Sequence, residues 1–172
     1  MAEVLATNGV DKRKVMVAID ESECSHHALL WTLDNLKDSL LNSTLVVFMA
    51  RPPSQQNLSF AANLGLARMY CPVSAAPDFV NSVQEQHRKL TLALLEKAKE
   101  ICAARGVTAE TITEVGDPKV AICDAVEKNN VTLLILGDHG LGKIKRAILG
   151  SVSNYCVQYA KCPVLVVKKA AE

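Results

Sequence analysis

Aromatic residues are scarce in this chain of 172 residues: Phe, Trp and Tyr make up 4% of it, against 49% for all hydrophobic residues. The core must therefore be built from Val, Leu, Ile and Ala, a bias that favours a parallel sheet covered by helices over an aromatic-rich antiparallel sandwich. The length suits one domain and is enough to bury a core. We expect a single domain over residues 1–172, with its core at about 12–169.

The sequence also lacks a charge excess and long apolar runs. A net charge of +1 argues against a protein that binds nucleic acid through a basic face. No window approaches a membrane span, and residues 1–14 contain no apolar stretch of signal-peptide length. We therefore expect a cytoplasmic protein, or one shared between cytoplasm and nucleus, with neither a membrane nor nucleic acid as its partner.

The cysteines show no pattern of metal or disulfide chemistry. None of the six forms a CxxC pair, and neither their spacing nor that of the four histidines matches a zinc site. Several fall at apolar helical positions, where a free cysteine behaves as a small hydrophobic residue. The sequence predicts a reducing compartment, with free thiols and no metal centre at Cys24, Cys71, Cys102, Cys123, Cys156 and Cys162.

Short apolar runs alternate along the chain with segments of helical periodicity. The runs predict strands at about 15–19, 44–50, 108–115, 131–136 and 163–167. The periodic segments predict helices from an N-cap at Ser22 or Ser25 to about residue 40, over about 79–105 with Gly106 at its end, from Asp117 and Pro118 to about 128, and over 151–160. Residues 51–77 predict a loop or insertion, with a short helical piece around 60–70.

This alternation is typical of the doubly wound α/β class, in which right-handed crossovers place helices on both faces of a parallel sheet. In such sheets a ligand binds beyond the carboxyl ends of the strands, where the direction of winding reverses. We therefore expect a site near the ends of the first and fourth strands, at Asp20 and Gly137.

Glycines and a serine mark the connection between the fourth strand and the last helix. Gly137 directly follows a strand, and Gly150 precedes a helix that Ser151 can cap. Glycines allow the backbone to approach a ligand closely, and the free N–H groups at a helix start form an anion site. The cations of this loop either add phosphate contacts or form a solvated face; they are Lys143, Lys145 and Arg146.

Taken alone, these glycines could simply form turns, since neither the P-loop pattern GxxxxGK[ST] nor the dinucleotide-binding pattern GxGxxG is present. The whole loop with its flanks is more specific. The spacing Gly137-x2-Gly140-x9-Gly150-Ser151 resembles the ATP-binding signature of the universal stress protein family, its plant members in particular. The segments VMVAIDES at 15–22, GDP at 116–118 and GSVSNYC…KCPVLVV at 150–167 fit that family too. The resemblance covers residues 12–169 and is weakest at 51–77.

The resemblance implies a Rossmann-like, five-stranded parallel sheet of the adenine nucleotide α-hydrolase type, in the order 3-2-1-4-5. The first strand's end would face adenine and ribose, the second strand's end would line the base pocket, and the glycine loop would hold ribose and phosphates. The residues that match these places are Ala18, Asp20, Ala50, Leu136, Gly137, His139, Gly140, Gly150, Ser151, Val152 and Ser153. One departure is Asp138, which stands where the family often has serine and would repel phosphates unless it points to solvent or meets a metal ion.

The resemblance implies a stress-response regulatory protein that binds ATP or AMP, with Mg²⁺ as a candidate metal ion bound together with the nucleotide. It also implies a homodimer that is paired through residues 163–167 and whose state depends on the bound ligand. Two alternatives remain open: a slow ATP hydrolase, and a chaperone-like dimer that needs no ligand. We expect no catalytic residues, because His139 has no evident Ser, Cys or Asp partner and the loop after the first strand lacks the Ser-Gly-Gly of ATP pyrophosphatases.

Overall fold

A single sheet of five parallel strands forms the centre of the molecule. The computed structural model describes residues 13–51, 53, 77–138 and 149–169. The strands pair in the order β3-β2-β1-β4-β5, which confirms the expected doubly wound class and strand order. Their bounds are β1 Arg13–Ala18, β2 Ser43–Arg51, β3 Ala109–Val115, β4 Leu133–Gly137 and β5 Val164–Val167.

Helices cover the sheet on both faces, and one apolar cluster fills each interface. The first cluster joins β1 to helices that follow β1 and precede β3, whereas the second joins β1 to helices that precede and follow β4. No helix within the described ranges is both long and apolar enough to cross a membrane. The helices are α1 Glu23–Asn35, α2 Lys37–Leu41, α3 Pro77–Ala104, α4 Pro118–Lys128 and α5 Ser151–Tyr159.

The central strand β1 shows why the two clusters separate. Successive side chains of a strand point to opposite faces, so Val15 and Val17 pack in the first cluster while Met16 and Ala18 pack in the second. Met16 and Val17 have no exposed surface. Burial on both faces explains why this strand is a continuous apolar run rather than an alternating one.

Several helix ends follow their predicted capping residues. The Ser22 hydroxyl caps α1 by accepting from the Ser25 N–H, and Asp117 caps α4 ahead of Pro118. Gly106 has a φ of +75° just beyond α3. The N–H groups of Gly106 and Val107 donate back to carbonyls of the last turn of α3, a Schellman arrangement that needs the left-handed residue at this position.

The end of the first helix and the start of the fourth strand differ from prediction for identifiable reasons. The first helix ends at Asn35 instead of continuing to about residue 40, and Leu36 (φ −112°, ψ 14°) separates it from α2. The Asn35 side chain donates to the Trp31 carbonyl, a local bond that competes with helix continuation. The fourth strand begins at Leu133 rather than 131, because the Val131 N–H closes the end of α4 by donating to the Val126 carbonyl.

The predicted thiols are free at every described cysteine, and Cys71 lies outside the described residues. The Sγ atoms of Cys123 and Cys156 lie 4.0 Å apart between α4 and α5. Cys156 is fully buried, and this burial raises the pKa of its thiol to about 12. A thiol with so high a pKa is mostly a packing group at neutral pH.

We predict that iodoacetamide at pH 9 modifies Cys156 slowly in the folded protein and rapidly in the urea-unfolded chain. The thiolate is the reactive form; it appears near pH 9 in the unfolded chain and only near pH 12 in the folded one. The contribution of the neutral Cys156 thiol to the stability of the folded protein is thus complete below pH 9 and is lost as pH rises from 9 towards 12. Mass spectrometry of the labelled peptides measures both rates; equal rates would contradict the burial.

Candidate functional site

A cavity of about 670 Å³ opens at the carboxyl ends of β1 and β4. These strands are neighbours in the sheet, and the chain leaves them in opposite directions, so the helices that follow them lie on opposite faces. The gap between the two helix starts is the switch point of a doubly wound sheet, where ligands bind in this class of fold. The cavity therefore lies where the strand order predicts a site.

The structure brings together nine of the eleven residues that the sequence marked. They come from the ends of β1, β2 and β4 and from the first turn of α5, and all nine line the cavity. The other two, His139 and Gly140, lie outside the described residues, as do the loop cations 143, 145 and 146. What the nine residues bind stays a prediction; they are Ala18, Asp20, Ala50, Leu136, Gly137, Gly150, Ser151, Val152 and Ser153.

Sequence reasoning missed the wall that α4 provides. Pro118 and Ile122 both line the cavity, and their separation of four positions places them on one face of the helix. The signal was present, because a helix that starts with Pro118 after β3 must begin at the same edge of the sheet as the glycine loop. Other lining residues that had not been singled out are Ile19, Ser25, Leu149 and Asn154.

Gly137 allows α1 to approach the end of β4. A Cβ atom at this position would lie 2.5 Å from the carbonyl carbon of Cys24 and 2.8 Å from the amide nitrogen of Ser25, and it would also clash with the Cys24 carbonyl oxygen. These are backbone atoms, which cannot rotate away as a flexible side chain would. The glycine is required here by close packing, which fixes the first turn of α1 against the cavity.

A turn of polar groups holds Asp20 at the cavity rim. One oxygen of its carboxylate, Oδ1, accepts from the Ser22 N–H at 2.9 Å and from the Ser22 hydroxyl at 2.5 Å. The Asp20 N–H donates to the buried Ser25 hydroxyl at 3.0 Å, whose proton is shared between the Asp20 and Ser22 carbonyls at 3.1 Å each. The exposed carboxylate is thus oriented by the same serines that start α1.

The start of α5 differs from prediction in its cap. Gly150, not Ser151, is the N-cap residue, and no side chain caps it from within the helix; Ser151 is the first helical residue and is exposed. The first bond of the helix runs from the Asn154 N–H to the Gly150 carbonyl. The N–H groups of residues 151–153 therefore have no acceptor within the helix.

Two polar side chains near α5 already have protein partners. The Asp138 carboxylate accepts from the Gly150 N–H at 3.3 Å. The Ser153 hydroxyl, which the family resemblance placed among the ribose and phosphate contacts, donates to the Gly137 carbonyl at 3.2 Å and is buried. This bond ties the first turn of α5 to the end of β4, so in this structure Ser153 acts as a positioning group for the cavity wall.

The cavity combines an apolar wall with a polar end. Side chains of the strand ends and of α4 supply hydrocarbon surface, and the Asp20 carboxylate supplies an acceptor. The amides of residues 151–153, which have no acceptor within α5, supply donors. A helix N-terminus carries a partial positive charge and attracts anions. The arrangement suits a ligand with a flat apolar portion and an anionic group. The apolar lining residues are Ala18, Ile19, Ala50, Pro118, Ile122, Leu136, Leu149 and Val152.

Comparison with known proteins gives a consistent answer. The model of the universal stress protein family matches residues 12–168. Universal stress protein YxiE of Bacillus subtilis is 30% identical over 155 residues, which span 90% of this chain and 98% of that protein. The universal stress protein A-like protein of Arabidopsis thaliana is 33% identical over 100 residues, 58% of this chain and 57% of that protein.

Solved structures show the same fold. A universal stress protein family protein from Arabidopsis thaliana with AMP bound matches with a TM-score of 0.64 at 24% identity, covering 92% of this chain and 93% of that one. A universal stress protein in complex with cAMP matches with a TM-score of 0.58 at 24% identity, covering 90% and 95% of the two chains.

We predict that Gly137→Ala destabilises the protein while Gly116→Ala is tolerated. The added methyl group at 137 overlaps backbone atoms of α1, whereas at 116 it would lie 3.5 Å from the Ala121 side chain, an ordinary contact. Overpacking of this kind costs about 1–3 kcal/mol. Thermal and urea unfolding of the two variants measures the difference; equal stabilities would contradict the close packing of β4 and α1.

Proposed function

Because the chain belongs to the universal stress protein family, we propose that it is a stress-response regulatory protein that binds an adenine nucleotide, ATP or AMP, in the cavity beside β1 and β4. One observation supports the proposal: residues that the family resemblance marked converge from four separate elements on a single cavity. Its volume falls within the roughly 300–1,000 Å³ of small-molecule sites.

The apolar wall suits the adenine base. Ala18 ends β1, and Ala50 lies one residue before the end of the neighbouring strand β2. Their small side chains leave room for a planar ring. Leu136, Ile122 and Val152 supply branched apolar surface around that space. A purine ring placed there would bury its faces against hydrocarbon and leave the ribose directed towards the polar end of the cavity.

The polar end suits ribose and phosphate. The Asp20 carboxylate is fixed at the rim by Ser22 and would accept from the ribose hydroxyls. The N–H groups of residues 151–153, which have no acceptor within α5, would donate to phosphate oxygens, a contact that is worth about 1.5–3 kcal/mol when one partner is charged. Contacts from His139 and Gly140, and membership of the plant-type ATP-binding subgroup, are part of the proposal and rest on the sequence motif.

Relatives of the same fold support an adenine ligand, since one solved neighbour has AMP bound and another is in complex with cAMP. A bound Mg²⁺ would depend on the nucleotide for most of its ligands. Among the described residues, no cluster of three His, Cys, Asp or Glu side chains is arranged to hold a metal ion, so phosphate oxygens and water would have to complete the shell.

We also propose that two copies pair through β5. This strand lies at one edge of the sheet. The Pro163 carbonyl accepts from Leu134 of β4, and the Val167 carbonyl accepts from Asp138, the residue that follows β4. Because backbone groups of alternate residues point to opposite sides of a parallel strand, those of Val164 and Val166 face the open edge. An apolar edge with exposed donors and acceptors is a suitable surface for pairing with a second chain.

The ligand proposal predicts that Ala50→Leu weakens binding of both AMP and ATP by at least about tenfold, since the larger side chain fills space left for the base. Isothermal titration measures both affinities. The matched control is Ala104→Leu, which makes the same change at an exposed helix end and should bind as the wild type does. No heat from the wild type with either nucleotide would contradict the proposed function.

The dimer proposal predicts that Val166→Pro converts the protein to a monomer. Proline removes an N–H that faces the open edge and leaves the bonds to β4 in place. The matched control is Thr111→Pro on β3, the strand at the opposite edge of the sheet. There the hydrogen bonds between β2 and β3 likewise leave the backbone groups of residue 111 facing outward. Light scattering after size exclusion measures the mass. A monomeric wild type, or a dimeric Val166→Pro variant, would contradict pairing through β5.

A further inference from the structure

The start of α5 already holds a carboxylate. Asp138 directly follows β4, and its own N–H donates to the Val167 carbonyl at 2.9 Å, which fixes its backbone to β5. From that anchored position its Oδ1 accepts from the Gly150 N–H at 3.3 Å. Gly137 on one side and Gly150 on the other both line the cavity. Asp138 itself does not line the cavity, but its carboxylate is held within hydrogen-bond distance of Gly150, which does.

A carboxylate at this place competes with an anionic ligand for the positive end of α5. It satisfies one N–H at the positive end of α5, and it adds a negative charge to the region that would hold phosphates. Asp138 is half-buried, and no Lys or Arg among the described residues forms a salt bridge with it. Charges of like sign in a partly buried site repel more strongly than in bulk water.

We infer that Asp138 sets the ligand charge that the site accepts, so that without divalent cations the protein prefers adenine ligands with few phosphates. The repulsion grows with each phosphate placed near α5, and it is absent for a ligand that carries none. This inference rests on the proposed function and names the specificity-determining residue of the same cavity. Adenosine and AMP are the favoured ligands, and ATP is the disfavoured one.

The test is a titration of adenosine, AMP and ATP in EDTA, with the wild type and with Asp138→Asn. Asparagine keeps an oxygen that can accept from Gly150 and removes the charge. We expect the variant to bind ATP at least about fivefold more tightly, AMP by a smaller factor, and adenosine with unchanged affinity. The gain for ATP should shrink as salt is raised, because ions screen the repulsion.

Asp124→Asn is the matched control, since it removes one negative charge from an exposed position on α4 that neither lines the cavity nor, among the described hydrogen bonds, accepts from a residue that does. It should leave all three affinities unchanged. Asp138→Ser provides a second neutral variant, should Asp138→Asn fold poorly; thermal unfolding checks both. An equal change for the three ligands, or no change, would overturn the role of Asp138 while the proposed function stands. A wild type that binds none of them would overturn both.

Discussion

The close packing of Gly137 against the first turn of α1 is the contact on which the cavity depends. It brings the backbone of Cys24 and Ser25 to the end of β4, although α1 follows β1 in the chain. On the opposite face, the Ser153 hydroxyl ties α5 to the carbonyl of the same glycine. One residue at the end of β4 thus holds both helix starts, and the space between them is the cavity.

The same polar groups serve the fold and the proposed ligand. Ser22 caps α1, and Ser22 and Ser25 together orient Asp20. The cost of burying or half-burying their hydroxyls is therefore offset by bonds that the fold itself needs. The N–H groups at the start of α5 fall into two kinds. The Asp138 carboxylate accepts from the Gly150 N–H, whereas the following three N–H groups have no acceptor within the helix. The site therefore combines a preformed cap with donors that a ligand can use.

Much of this could be predicted from the sequence, because the signals were local. The run 15–19 predicts a strand buried on both faces, and the Asp117-Pro118 pair predicts the start of α4; both are confirmed. The break at Leu36 and the Gly150 cap were not predicted, since each depends on which backbone groups find partners in three dimensions. The α4 wall was missed for the same reason, as Pro118 and Ile122 meet the glycine loop only through the sheet.

The central claim of this account is that a nucleotide phosphate meets the amides at the start of α5. Titration of the ¹⁵N-labelled protein with AMP, followed by two-dimensional NMR, tests it residue by residue. We predict the largest shifts at the amides of Ser151, Val152 and Ser153, with further shifts near Ala18 and Ala50. Shifts confined to a distant surface, such as the groove between Glu96 and Ala109, would contradict it, as would an unchanged spectrum.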